Sequence, residues 1–382
     1  HIMKRRAATP EVYEQISAVL SHTEDVLERM TKDYVRTSEQ AALVTPGNFD
    51  GGVSSVSEKA LGGIHKSGSC KFVGVVKANA YGHGAVPVAR RLEELGADYL
   101  AVACLEEGLE LRQAGIQSPI LILGATPEDC AEAAVEQDLT QTVFRESQAR
   151  AVSQAARTLG RTAKVHLKVD TGMSRFGVWA GDPEGAAADL APLCGLPGVE
   201  VEGIYTHFAK ADEDESFTML QFTRFLDVIA ALRASHGVEF AIRHCAASAA
   251  VLHYPCTHLD MVRPGIALYG HYPAPDCAGL DGPGLLPVMT LKSRIASVKE
   301  LPKGASISYG GIHTLERDSR IAVLPVGYAD GLFRLLSNRM EVLWQGNRLR
   351  QIGRICMDLC MVDVTDVPEV REDDEAILWG GT

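Results

Sequence analysis

Val75-Val76-Lys77-Ala78-Asn79-Ala80-Tyr81-Gly82-His83-Gly84 places one lysine at the end of an apolar run that opens directly into glycine-flanked polar residues. The preceding Phe72-Val73-Gly74-Val75-Val76 has the β-branched content and the length of a buried strand. Lysine is rarely buried without a partner, so an amine at the end of such a strand needs something to pair with or react with. Out of water its pKa falls, and it becomes the usual Schiff-base nucleophile toward a carbonyl. The plainer alternative is a lysine whose stem follows the strand while its charge reaches solvent. The rest of the chain decides between them.

The chain has 382 residues, 46% hydrophobic and 23% charged, a globular composition with room for two domains. Its formal net charge of -12, with no basic run, argues against nucleic-acid and anionic-membrane partners, so a bound phosphate would have to be held locally. No apolar stretch approaches the roughly 18 residues of a membrane span, and no charged-then-apolar leader is found. A cytoplasmic protein without membrane contact is expected. His1-Ile2-Met3 reads as a cloning remnant, which leaves room for a longer natural chain. The nine cysteines are scattered through apolar segments, as reduced thiols are. Cys356 and Cys360 fall on one face of an expected strand without histidines at metal-ligand spacing, so they read as core and no metal site is expected.

Eight β-like runs recur with helical stretches between them: Phe72 to Ala78, Tyr99 to Ala103, Pro119 to Gly124, Thr140 to Phe144, Lys164 to Asp170, Val201 to His207, Ile242 to Ser248, and His258 to Gly265. Ala85 to Leu95 and Leu105 to Ala114 carry the helical period. Alternating strand and helix allows a doubly wound sheet or a barrel, and a count of eight favours the α/β class with a (β/α)8 barrel. From about Val288 the pattern turns β-rich: Val288 to Glu300, Ile307 to Gly311, Arg320 to Tyr328, Met340 to Trp344 and Gln351 to Val364. The expected organisation is therefore a poorly assigned segment 1–65, a barrel 66–285 and a mostly antiparallel β-domain 286–382.

Barrel enzymes place their chemistry at the carboxyl ends of the strands, and polar residues collect there. Lys77 ends the first run, Lys168 and Asp170 the fifth with Arg175 beyond, His207 the sixth, Ser248 the seventh, and Arg263 falls in the eighth. Loops after strands seven and eight often hold phosphate through small residues and backbone N–H groups, which Ser248-Ala249-Ala250 and Gly265-Ile266 supply. A lysine and a phosphate site at one barrel mouth suggest pyridoxal phosphate.

From Cys70 to Trp379 the chain resembles the alanine racemase family, pyridoxal-phosphate enzymes built of a barrel and a β-domain. The resemblance rests on V-V-K-A-N-A-Y-G-H-G, L-K-V-D-T-G-M-S-R-F-G from Leu167, Y-T-H-F from Tyr205, M-V-R-P-G-I from Met261, S-Y-G-G from Ser308, G-Y-A-D-G from Gly327 and G-R-I-C-M-D from Gly353. It implies that Lys77 forms the Schiff base with the cofactor and serves as base on one face of the substrate α-carbon. Tyr309 would be the base on the other face, contributed by the partner of a homodimer with shared sites. Arg263 would face the pyridine nitrogen and His207 would orient it. Tyr81, Ser248, Gly265 and Ile266 resemble the phosphate cradle. Arg175 would contact the cofactor's phenolic oxygen and the substrate carboxylate, and Lys168 matches a lysine often carbamylated in the family. An unmodified Lys168 paired with Asp170 is the alternative. Met357 resembles the partner's contact to the substrate, and Tyr328 a tyrosine at the entrance.

Three features depart from the family pattern. Glu11 to Tyr34 reads as a helix and Val44 to Gly63 as a glycine- and serine-rich stretch, where the family has a short strand and the first barrel helix. The family continues past the position of Gly381, including a tyrosine at the pocket with no counterpart here. Ala247 stands where a polar residue is frequent. The expected activity is interconversion of L- and D-alanine, supplying D-alanine for peptidoglycan. Serine racemisation by the soluble part of a membrane protein, a related decarboxylase and a non-catalytic pyridoxal-phosphate carrier are the alternatives. The β-domain and Tyr309 argue against the carrier.

Overall fold

The structure, a computed structural model, describes residues 70–275, 285 and 287–380. The expected helix from Glu11 to Tyr34 and the stretch from Val44 to Gly63 lie outside the described residues. The described residues form two compact units, divided after Leu285.

In the first unit the strands are β1 (Lys71–Val75), β2 (Tyr99–Val102), β3 (Ile120–Ala125), β4 (Leu139–Val143), β5 (Ala163–Asp170), β6 (Val178–Trp179), β7 (Val199–Tyr205), β8 (Ile242–His244) and β9 (Met261–Val262). They pair in parallel in the order β8-β7-β5-β4-β3-β2-β1-β9, with β6 added beside β5. A parallel bridge between Ala247 and Arg263 joins the two ends and closes the expected barrel. Both faces of such a sheet are covered, which is why β2 is buried at every residue and reads as an unbroken apolar run. The helices between strands bury one stripe each: Ala85–Glu94 turns Ala85, Ala89 and Leu92 inward, the spacing of a helix face. The long helix Glu215–His236 starts where the Asp214 carboxylate accepts the Phe217 N–H and stops at Gly237, at φ 65°.

Three barrel runs are longer in the sequence than in the fold by two residues or more, and Phe72 to Ala78 is strand only as far as Val75, because the left-handed turn at Ala78 ends the extended chain. Of Ile242 to Ser248 only Ile242–His244 is strand, because Ser248 begins the short helix Ser248–His253; of His258 to Gly265 only Met261–Val262 is strand.

The second unit contains β10 (Leu291–Arg294), β11 (Ser297–Leu301), β12 (Ser306–Ile307), β13 (His313–Thr314), β14 (Ser319–Leu324), β15 (Glu341–Trp344), β16 (Asn347–Ile352), β17 (Cys360–Asp363) and β18 (Glu375–Trp379). Seven of them form an antiparallel sheet in the order β10-β18-β15-β16-β17-β14-β11, and β12 pairs with β13. Val342, Trp344, Leu349, Val362 and Leu378 belong to its core. The run read as one strand from Gln351 to Val364 is two, β16 and β17, separated by the loop that carries Cys356 and Met357. Cys356 and Cys360 therefore do not share a strand face; Cys360 alone is core.

Candidate active site

Lys77 follows β1 by two residues, and the backbone after it turns the wrong way for L-residues. Ala78, Asn79, Ala80 and Tyr81 all have φ of 52–54°, a single left-handed turn. Each such residue costs about 1–2 kcal/mol relative to a right-handed one, so the turn persists only because its surroundings hold it. Glu107 accepts the Ala78 N–H on one oxygen and the Ala103 N–H on the other, each at 2.7 Å. Asn79 Oδ1 accepts the Ala85 N–H at 2.7 Å, which ties the turn to the first helix. Tyr269 packs against the Tyr81 ring, with centroids 4.8 Å apart, and donates its hydroxyl to Val75 O at 2.8 Å. Lys77 itself is partly buried. Burial and then the charge of Arg175 lower its pKa, Glu107 opposes them and Arg263 adds to them, which moves the amine toward its nucleophilic form.

Arg263 is buried beside the barrel's closing bridge. It donates Nη1 to His244 Nδ1 at 2.7 Å and Nη2 to Thr206 O at 2.9 Å, Cys245 O at 3.2 Å and His207 Nδ1 at 3.3 Å. A guanidinium carries five N–H groups, so donor capacity is left for a further acceptor. His207 contacts Arg263, and His244 holds it more closely. Burial first, and then the charges of Arg263 and Lys168, keep the imidazole of His207 well below its ordinary pKa.

Tyr81, Ser248 and Gly265 converge. Ser248 Oγ accepts the N–H of Gly265 at 2.9 Å and of Ala267 at 3.2 Å, which leaves its own hydrogen to donate. A Cβ on residue 265 would lie 2.6 Å from the Tyr81 hydroxyl, so only glycine leaves that space open. Ile266 stays exposed beside them.

Lys168 lies on β5 and is buried, its Nζ 4.5 Å from the Tyr205 ring centre and 3.4 Å from Val169 O. No ion pair joins it to Asp170, whose Oδ1 accepts the N–H groups of Gly172 and Ser174 at 3.0 Å each, although the Asp170 charge still works to raise the Lys168 pKa. Desolvation, Arg263 and Arg175 together hold the Lys168 amine well below its ordinary pKa. Arg175 is exposed in the loop that Asp170 shapes.

In the second unit Tyr309 is 67% exposed. Ser308 before it sits at φ 62°, ψ -172°, a region otherwise left to glycine, and is anchored by donating Oγ to Arg354 O at 2.6 Å. Tyr328 and Met357 stand on loops joined by Tyr328 N–H to Cys356 O at 3.0 Å and Ala329 N–H to Met357 O at 2.9 Å. Both side chains are exposed.

Sequence reading missed His244, Glu107 and Tyr269. Each is one polar or aromatic residue inside an element that reads as structural, and only the closed barrel shows what it faces.

Residues 60–273 match the profile of the alanine racemase N-terminal domain and residues 288–382 that of the C-terminal domain. A D-galactarate/altronate dehydratase C-terminal profile matches residues 1–86, of which residues 1–69 lie outside the described residues. An alanine racemase of Desulfovibrio desulfuricans is 51% identical over 81% of this chain and 82% of its own. One from Clostridium perfringens is 45% identical over 82% of this chain and 80% of its own. Among solved structures, alanine racemase from Clostridium difficile superposes with a TM-score of 0.76 at 39% identity, covering 85% of this chain and 83% of that one. The Bacillus anthracis enzyme, solved with bound L-Ala-P, gives 0.73 at 38% identity over 82% and 80%. With both domains matched and relatives above 40% identity over four fifths of its length, the chain belongs to the alanine racemase family.

Proposed function

We propose that this protein interconverts L- and D-alanine with pyridoxal phosphate, using Lys77 and Tyr309 as opposed bases. The observation that carries the reading is the convergence at one barrel mouth of a lysine with lowered pKa, a buried arginine with spare donors, and a glycine and serine that shape a cradle. These residues suit the cofactor. The Ser248 hydroxyl, the Tyr81 hydroxyl and the opening at Gly265, with Ile266 beside them, suit a phosphate. Arg263 can donate a hydrogen bond to a ring nitrogen but cannot yield a proton to it, which keeps that nitrogen neutral.

When bound, pyridoxal phosphate supplies an electron sink that acidifies the α-C–H bond of the substrate. Lys77 Nζ anchors the cofactor and moves the α-proton on one face; Tyr309 Oη moves it on the other, since inversion needs a proton to leave one face and return to the opposite one. His207 steadies Arg263. Arg175 binds the substrate carboxylate, aided by the Met357 N–H, and Tyr328 lines the entrance. Burial and the charges of Arg263 and Arg175 lower the Lys168 pKa and so favour the neutral amine, the form that adds carbon dioxide; the resulting carbamate would give Arg175 an anionic partner. Tyr309, Tyr328, Met357 and Phe333 are exposed on their own unit, which suits a homodimer whose partner completes each site. Among the described residues no helix is long and apolar enough to cross a membrane. A cytoplasmic supply of D-alanine for peptidoglycan is the role that fits.

The test is borohydride reduction of the cofactor-loaded protein followed by peptide mapping, with a chiral assay of alanine. Label on Lys77 and loss of racemisation in Lys77→Ala are expected. Label on Lys168, or a loaded protein that leaves both alanine enantiomers unchanged, would overturn the reading.

A further inference from the structure

A line of hydrogen bonds leads away from Arg263 through the barrel interior. His244 Nδ1 lies 2.7 Å from Arg263 Nη1, His244 Nε2 lies 2.8 Å from His166 Nδ1, and His166 Nε2 lies 3.5 Å from Glu202 Oε2. Glu202 also receives the Tyr99 hydroxyl and, on Oε1, the Lys164 ammonium at 3.0 Å. Both histidines are wholly buried, whereas the Lys164 side chain is 41% exposed, so the line ends near solvent.

Two local features of β7 make room for it. Val165 of β5 pairs with Val201 and His166 with Gly203, which leaves Glu202 as an extra, bulged residue. Bulges are rare between parallel strands and serve to re-aim a side chain. At the next position a Cβ on Gly203 would lie 2.7 Å from His166 Cε1 and 2.8 Å from its Nδ1, so the missing side chain is the space that the imidazole fills.

The two ends fix every proton between them. A guanidinium only donates and an ionised carboxylate only accepts. His244 Nδ1 must therefore be bare and Nε2 protonated; His166 repeats the pattern and donates from Nε2 to Glu202. We propose that Glu202 is a positioning residue for Arg263: its carboxylate holds both buried histidines in the Nε2–H tautomer, so that His244 Nδ1 stays the acceptor that fixes the guanidinium. With the tautomers reversed, an N–H of His244 would face an N–H of Arg263. Burial works against ionising Glu202, yet hydrogen bonds from His166, Tyr99 and Lys164 outweigh it and bring the carboxyl down to about 2. The consequence for racemisation rests on the function proposed above; the tautomers do not.

The experiment uses full-length protein labelled with 15N-histidine and loaded with pyridoxal phosphate, whose long-range proton–nitrogen correlations separate the two tautomers, assigned with His166→Asn. Wild type should show both residues as Nε2–H. Glu202→Gln retains an acceptor oxygen and should keep that pattern. Glu202→Leu should admit the Nδ1–H form of His166 and slow racemisation about 10–100-fold, by analogy with the loss of the outer partner of a metal-ligating histidine. Nδ1–H on either residue in wild type overturns the proposal, and that spectrum decides even if Glu202→Leu fails to fold. So does a Glu202→Leu protein with unchanged tautomers or unchanged activity. Wild-type protein that shows the tautomers but no racemisation would refute the proposed function and leave the line intact.

Discussion

Replacing Ala78 by glycine tests the strained turn that follows Lys77. Ala78 sits at φ 52°, ψ 49° and is exposed, so glycine gives up no buried methyl. The left-handed conformation costs an L-residue about 1–2 kcal/mol, which glycine avoids. Its extra freedom in the unfolded chain costs about 0.5–1 kcal/mol. The difference is a gain of roughly 0–1.5 kcal/mol. In a right-handed helix the same change loses about 1 kcal/mol, so the sign alone discriminates. Urea unfolding of wild type and Ala78→Gly should show an equal or higher midpoint at constant slope. A loss of about 1 kcal/mol or more would refute the claim that this residue is held against its preference.

Three other perturbations have definite outcomes. A Cβ on Gly327 would lie 2.2 Å from Met357 O and 2.4 Å from Cys356 O, so Gly327→Ala must push its loop away from the one that carries Cys356 and Met357. Overpacking and two weakened backbone hydrogen bonds together cost roughly 2–6 kcal/mol, to be read by thermal melting; an unchanged melt contradicts the packing. His166 and His244 are held neutral by burial, with pKa values below the ordinary 6.5, so the unfolded chain binds more protons as pH falls. Their contribution is complete above about pH 6.5 and is lost below it, by up to about 1.4 kcal/mol per pH unit each; a pH-stability profile flat through that region would contradict it. Glu107→Gln removes the carboxylate that raises the Lys77 pKa, so the amine should titrate at lower pH, read from the pH dependence of its acylation in cofactor-free protein; an upward shift would be inconsistent with the geometry.

The barrel was legible because strands covered on both faces must be apolar throughout, and Tyr99 to Ala103 or Pro119 to Gly124 can hardly be read otherwise. The residues at the strand ends were legible as well, since Lys77, Ser248 and Arg263 interrupt or follow apolar runs. The line from Arg263 to Glu202 was not. Its members lie on separate strands, and a bulge that re-aims Glu202 leaves no mark in composition or period. The left-handed turn was hidden too, because alanine and tyrosine carry no preference for it, whereas the glycines around it suggested only a loop. In the second unit Gly353 to Leu359 reads as continuous with its neighbours, yet Gly353 at φ 74° breaks the run and starts the loop before β17. β18 escaped notice because its five residues follow the acidic Glu372-Asp373-Asp374, which masks a short apolar alternation.

The central claim is two opposed bases, and exchange of the substrate α-proton tests it most directly. Each alanine enantiomer is incubated in deuterium oxide with wild type and with Tyr309→Phe, and deuterium at the α-carbon is measured in recovered substrate and in product. The account predicts that Tyr309→Phe slows racemisation by roughly 10²–10⁴-fold while one enantiomer still exchanges through Lys77. Exchange lost equally from both enantiomers, or racemisation undiminished in Tyr309→Phe, would contradict it.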